Sequence, residues 1–165
     1  MLSFTPTFWL AIASAVGVAA LIIGAATDMA YRIIPNSVPI VVALSSVGLL
    51  VTLPAGEALT TIGVAFTMFA LGAAAFAARL VGGGDVKLFA AICLWAGTAL
   101  FSLLIVVMTL ASVAIALLML LLERRPAVHG SQDTAGLKAP LPLGLAIAIA
   151  GVLVVMHRAA LLPLN

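Results

Sequence analysis

The chain has 165 residues, of which 65% are apolar and 7% charged, against about 25% charged in soluble domains. That balance excludes an ordinary soluble enzyme and leaves room for one membrane bundle and no separate soluble domain. The net charge of +2 and the single cysteine, Cys93, give no ground for nucleic acid as a partner and exclude a disulfide framework or a cysteine-rich zinc module.

In chain order, residues 7–26 form the first apolar run, long enough to cross a hydrocarbon core of about 30 Å. Ala13-Ser14-Ala15 mimics a cleavage site. No Lys or Arg precedes the run, however, and its hydrophobicity continues past that point, so it reads as a retained span. Thr27 to Ser37 breaks the apolar pattern as a loop, or as a helix end followed by one, because Pro35 disfavours helix at Ile34. A second span is expected over 38–53 and a third over 58–80, the latter rich in the Ala and Gly that permit close helix packing.

Residues 86–122 would reach about 55 Å as one helix, so the spacing predicts a break near Ala96-Gly97-Thr98 and two spans, 86–96 and 99–122. Residues 123–140 are the one extended polar segment and read as a solvated, mobile loop. Pro140-Leu141-Pro142-Leu143-Gly144 then opens a sixth span over 141–156, prolines being tolerated in a first helical turn. The expectation is an all-α polytopic membrane protein, one domain over 1–165 with six transmembrane helices.

Between the third and fourth spans stands Leu80-Val81-Gly82-Gly83-Gly84-Asp85-Val86-Lys87. A charge at the centre of a membrane helix costs about 2.5–3.5 kcal/mol on insertion scales, so acids in such runs usually serve a purpose. Gly82, Gly83 and Gly84 remove every β-carbon from the approach to Asp85 and admit both close backbone contact and unusual φ/ψ. Taken alone, the stretch is equally well a glycine turn with an aspartate N-cap.

With six spans, the loops 27–37, 81–85 and 123–140 fall on one side together with nearly all the basic residues. The positive-inside rule puts that side in the cytoplasm and both termini outside. Asp28 and Asp85 then border the membrane at the same face. Two carboxylates brought close cannot both ionise easily and share a proton near neutral pH. Such a pair can hydrolyse a peptide: one aspartate takes a proton from water while its protonated partner polarises the scissile carbonyl.

Gly82-Gly83-Gly84-Asp85 resembles the Gly-x-Gly-Asp signature of intramembrane aspartyl proteases, and Asp28 followed by Ile34-Pro35-Asn36 resembles the first-aspartate motif of type IV prepilin leader peptidases. Lys87-Leu88 and Pro142-x-Gly144 are similar to the same family. The resemblance implies catalytic roles for Asp28 and Asp85 and a prepilin-like membrane protein as substrate, cut at the cytoplasmic face of the inner membrane. Pilus or secretion machinery follows as a possible partner, and no metal or organic cofactor is implied. Larger members carry a cysteine-rich insertion between the first two spans and methylate the new N-terminus. The short connection here resembles the compact form of Flp/Tad-type prepilin and archaeal preflagellin peptidases, so methylation is not carried over.

Pro35 and Asn36 either shape the site or only end one helix and begin the next. Lys87 either tunes an aspartate, contacts substrate or marks the membrane edge. Trp9 and Trp95 fit interfacial belts, and Cys93, His129 and His157 lack ligand spacing for a metal. Two other classes stay open: a proton-coupled transporter, which uses intramembrane acids but here lacks matching acids in its two halves, and a noncatalytic secretion-system scaffold.

Overall fold

Four helices form a ring and two more stand outside it. In a computed structural model of the chain, residues 6–122 and 143–160 are described. They contain six helices: α1 (Pro6–Tyr31), α2 (Ser37–Leu50), α3 (Ala55–Ala77), α4 (Gly83–Ala96), α5 (Phe101–Leu122) and α6 (Leu143–Ala160). No strand occurs among the described residues. Helix α1 packs on α2 and α6, α2 on α4, and α4 on α6, which closes the ring; α3 packs on α4 and α5 chiefly on α6.

Burial follows from that order. Helix α4 hides Val86, Leu88, Ala91, Ile92, Cys93, Trp95 and Ala96, and α6 hides Ala146, Ile147, Ala150, Val154 and Val155. Outlying α3 buries only Thr61 and Ala65 and shows Leu59, Phe66 and Leu71 to the outside, while α5 shows Val106, Leu110 and Val113. Exposed apolar surface of this extent suits lipid rather than water. Helices α1, α3, α5 and α6 are long and apolar enough to cross a membrane. Helices α2 and α4 have 14 residues each, about 21 Å at 1.5 Å per residue, and both belong to the ring. The chain is an all-helical membrane protein.

The breaks have local causes. Helix α1 runs through Asp28 to Tyr31, so that aspartate sits on a helical last turn, beyond the 7–26 run. Helix α3 ends with the Leu80 N–H on the Ala75 carbonyl (3.0 Å) and the Arg79 N–H on that of Phe76 (2.9 Å), a Schellman arrangement with Arg79 in the left-handed position usually given to glycine. Helix α4 stops at Gly97, whose φ of +56° is open to glycine at no steric cost; Phe101 begins α5. Trp95 departs from the expected interfacial belt. It is 0% exposed, and its indole N–H lies 3.2 Å from Ser45 Oγ and 3.3 Å from the Val42 carbonyl. A buried indole needs such a partner, and Ser45 on α2 supplies one. The polar segment 123–140, read as a mobile loop, lies outside the described residues.

Candidate active site

Asp28 faces inward from the last turn of α1 and is 7% exposed. Its Oδ2 accepts the backbone N–H of Leu145 at 3.0 Å, one of the first-turn amides of α6 that have no partner within the helix. Such a helix start is a natural seat for a carboxylate. The approach depends on Gly144. A β-carbon there would stand 2.8 Å from Asp28 Oδ2 and 2.6 Å from Ile34 Cδ1, closer than packed atoms tolerate.

Asp85 enters from the opposite side of the ring. Helix α4 begins at Gly83 with Gly82 as its N-cap, so Asp85 is the third helical residue and not the cap itself. Its carboxylate accepts the Gly82 backbone N–H, the returning half of a capping box. A β-carbon on Gly82 would lie 2.7 Å from Asp85 Oδ2. None of Gly82, Gly83 and Gly84 has a positive φ, so these glycines serve close approach, and the expected unusual backbone angles are absent. The described non-glycine residues with left-handed φ are Arg32 at +54° and Arg79 at +60°.

Asp28 and Asp85 meet in one cleft of about 510 Å³, walled by Arg32, Arg79, Val81, Gly82 and Leu143. The turn that carries Asp85 precedes the apolar part of α4. Burial there, and next the charge of Asp28, push its carboxyl from the usual 3.8 up to about 6, with the Gly82 amide opposing. A neutral carboxyl is thus kept beside a second carboxylate into the mildly acidic range.

Ile34 ties the two halves together. Its side chain meets the place of a Gly84 β-carbon at 3.0 Å and that of Gly144 at 2.6 Å, so the Ile34-Pro35-Asn36 segment wedges between the starts of α4 and α6. The Pro35 carbonyl accepts the Val38 N–H at 3.0 Å and opens α2. Asn36 is the N-cap of α2 but makes no side-chain cap bond, because its Oδ1 accepts Lys87 Nζ at 2.8 Å. Neither Lys87 nor Asn36 lines the aspartate cleft; both border a separate apolar groove of about 590 Å³ between α2, α3 and α4. Gly83 abuts the Phe76 ring, which would sit 3.2 Å from a β-carbon.

In the sequence alone Ile34, Gly144 and Leu145 carry no site role, and Arg32 and Arg79 count only among the basic residues of one membrane face. Gly144 had a signal in its spacing from Pro142. The Leu145 amide had none, since a backbone donor looks alike in every residue.

Residues 15–120, which include both aspartates and end before α6, match the type IV leader peptidase family. Searches of curated proteins and of solved structures return no match. A match over more than half of the chain, laid on a helical membrane bundle, makes this protein a member of the type IV leader peptidase family.

Proposed function

We propose that the chain is an intramembrane aspartyl endopeptidase that removes the leader of type IV prepilin-like precursors, with Asp28 and Asp85 as its catalytic pair. One observation carries this reading: two carboxylates from α1 and α4 share one cleft, where burial first and the charge of Asp28 second favour the protonated form of Asp85. That is the electrostatic condition for a one-proton carboxylate pair.

The reaction runs on the proton that the pair shares. A water between the carboxyls gives a proton to the ionised aspartate as its oxygen bonds to the scissile carbonyl carbon. The protonated partner donates to the carbonyl oxygen. Collapse of the tetrahedral intermediate breaks the C–N bond, the amine takes the proton held by the first aspartate, and the carbonyl oxygen returns its own to the second. The Leu145 amide holds Asp28 in place during these transfers, and Gly82 does the same for Asp85. Roles of base and acid belong to the pair as a unit.

The aspartates share their end of the bundle with Arg32, Arg79 and Lys87, while Arg158 closes the other end of α6. By the positive-inside rule this face is cytoplasmic and the protein belongs in the cytoplasmic membrane. Between α1 and α2 lie only residues 32–36, too few for the cysteine-rich insertion of methylating members. A compact Flp/Tad-type or preflagellin-type peptidase without methyltransferase activity is the form that fits. Leader removal from a co-expressed precursor by Asp28→Asn and Asp85→Asn variants tests the reading.

A further inference from the structure

Asp85 borders two spaces of opposite character. One is the cleft with Asp28 and the two arginines. The other is a crevice of about 170 Å³ that shares Val81, Asp85 and Leu143 with that cleft and is closed by Gly72 and Ala75 of α3, Phe89 of α4, Met108 of α5 and Ile147 of α6. Apart from Asp85 its walls carry no ionisable side chain. Its size is close to that of a cavity known to hold one benzene ring, roughly 150 Å³, so it admits a single side chain and not a helix.

The crevice exists because of how α3 and α5 are attached. Helix α3 packs on α4 and α5 chiefly on α6, so neither closes the gap over the start of α4. Gly72 brings α3 down onto α4: a β-carbon there would lie 2.7 Å from Val86 Cγ1. Ala75, one turn on, is too short to fill the space. Helix α5 continues past Met108 to Leu122, roughly 21 Å further at 1.5 Å per residue, and exposes Leu117, Leu118, Leu120 and Leu121. Beside Met108, Val106 and Leu110 are exposed, so the α5 wall next to the crevice faces lipid.

Resting on the aspartyl protease reading, we infer that this crevice is a side-chain subsite, reached from the lipid between α3 and α5, that receives an apolar residue flanking the scissile bond. A peptide whose backbone lies along Asp85 in the cleft has one neighbouring side chain directed toward the crevice, where desolvation favours an aliphatic or aromatic group and penalises a charged one. Ala75 of α3 and Met108 of α5, both in its lining, set the size of residue accepted.

The test uses the full-length protein in membranes and precursors that carry alanine, leucine, phenylalanine or tryptophan at each position flanking the cut, compared pairwise by kcat/KM. Ala75→Phe fills the crevice and lowers the ratio for phenylalanine over alanine by at least about tenfold at one flanking position. Met108→Ala enlarges it and raises the ratio for tryptophan over leucine at that same position. Ratios within one variant are independent of how much enzyme folds, so a merely structural effect leaves them unchanged. Wild-type cleavage with ratios unaltered in both variants overturns the subsite and leaves the protease reading standing; a wild-type protein that cleaves none of the precursors removes both.

Discussion

The carboxylate of Asp28 is bound to the backbone N–H of Leu145 at 3.0 Å, which makes the start of α6 part of the site although the family match ends at residue 120. The contact is a charge-assisted hydrogen bond at a helix N-terminus, a class stronger than a neutral pair. It is possible because Gly144 offers no β-carbon.

Gly144→Val should therefore damage activity more than stability. The added side chain collides with Asp28 Oδ2 and Ile34 Cδ1, and overpacking of this kind costs about 1–3 kcal/mol. A displaced catalytic group can cost on the order of 100-fold in rate. The expected result is a kcat lower by about that factor in protein that still reaches the membrane; a kcat within about twofold of wild type would detach α6 from the site.

The proton on Asp85 predicts the pH behaviour. Its carboxyl sits at about 6 in the folded protein against an ordinary 3.8, so cleavage should decline as pH rises through about 6 and the shared proton leaves. Stability has the same sign. The folded state keeps this proton where the unfolded chain has lost it, so the contribution is fully present below 3.8 and disappears as pH climbs through about 6. Asp85→Asn should flatten thermal stability across that window, which denaturation at stepped pH would show.

Arg79 predicts a gain. A non-glycine residue in the left-handed region carries a cost of about 1 kcal/mol or more, and Arg79 at φ +60° is the C′ residue of α3. Arg79→Gly should raise the unfolding midpoint, with up to about 1 kcal/mol of added stability. An unchanged or lowered midpoint would mean that the guanidinium contributes more to the fold than its backbone costs.

Much of the helical plan is readable in the residues because water and lipid enforce it. The long apolar runs have one outcome in a membrane, and Gly97 interrupts a run too long for a single helix. Asp28 and Asp85 stand out because charge is costly beside such runs. What escaped were relationships with no residue-type signature. The Leu145 amide is a donor of that kind, and so is the left-handed backbone at Arg32 and Arg79, where glycine would be the expected residue. Trp95 looks like an interfacial tryptophan until Ser45, on another helix, satisfies its N–H inside the core. The glycines before Asp85 were legible as necessary, but for close approach to Ile34, Phe76 and Asp85 itself rather than for unusual φ.

The most direct test is leader removal from a co-expressed prepilin of the same genome by wild type, Asp28→Asn and Asp85→Asn, each at matched membrane abundance. Asparagine keeps the side-chain shape but cannot titrate. The paired-aspartate account predicts a mature product with wild type and unprocessed precursor with either variant. Normal processing by both variants would contradict it.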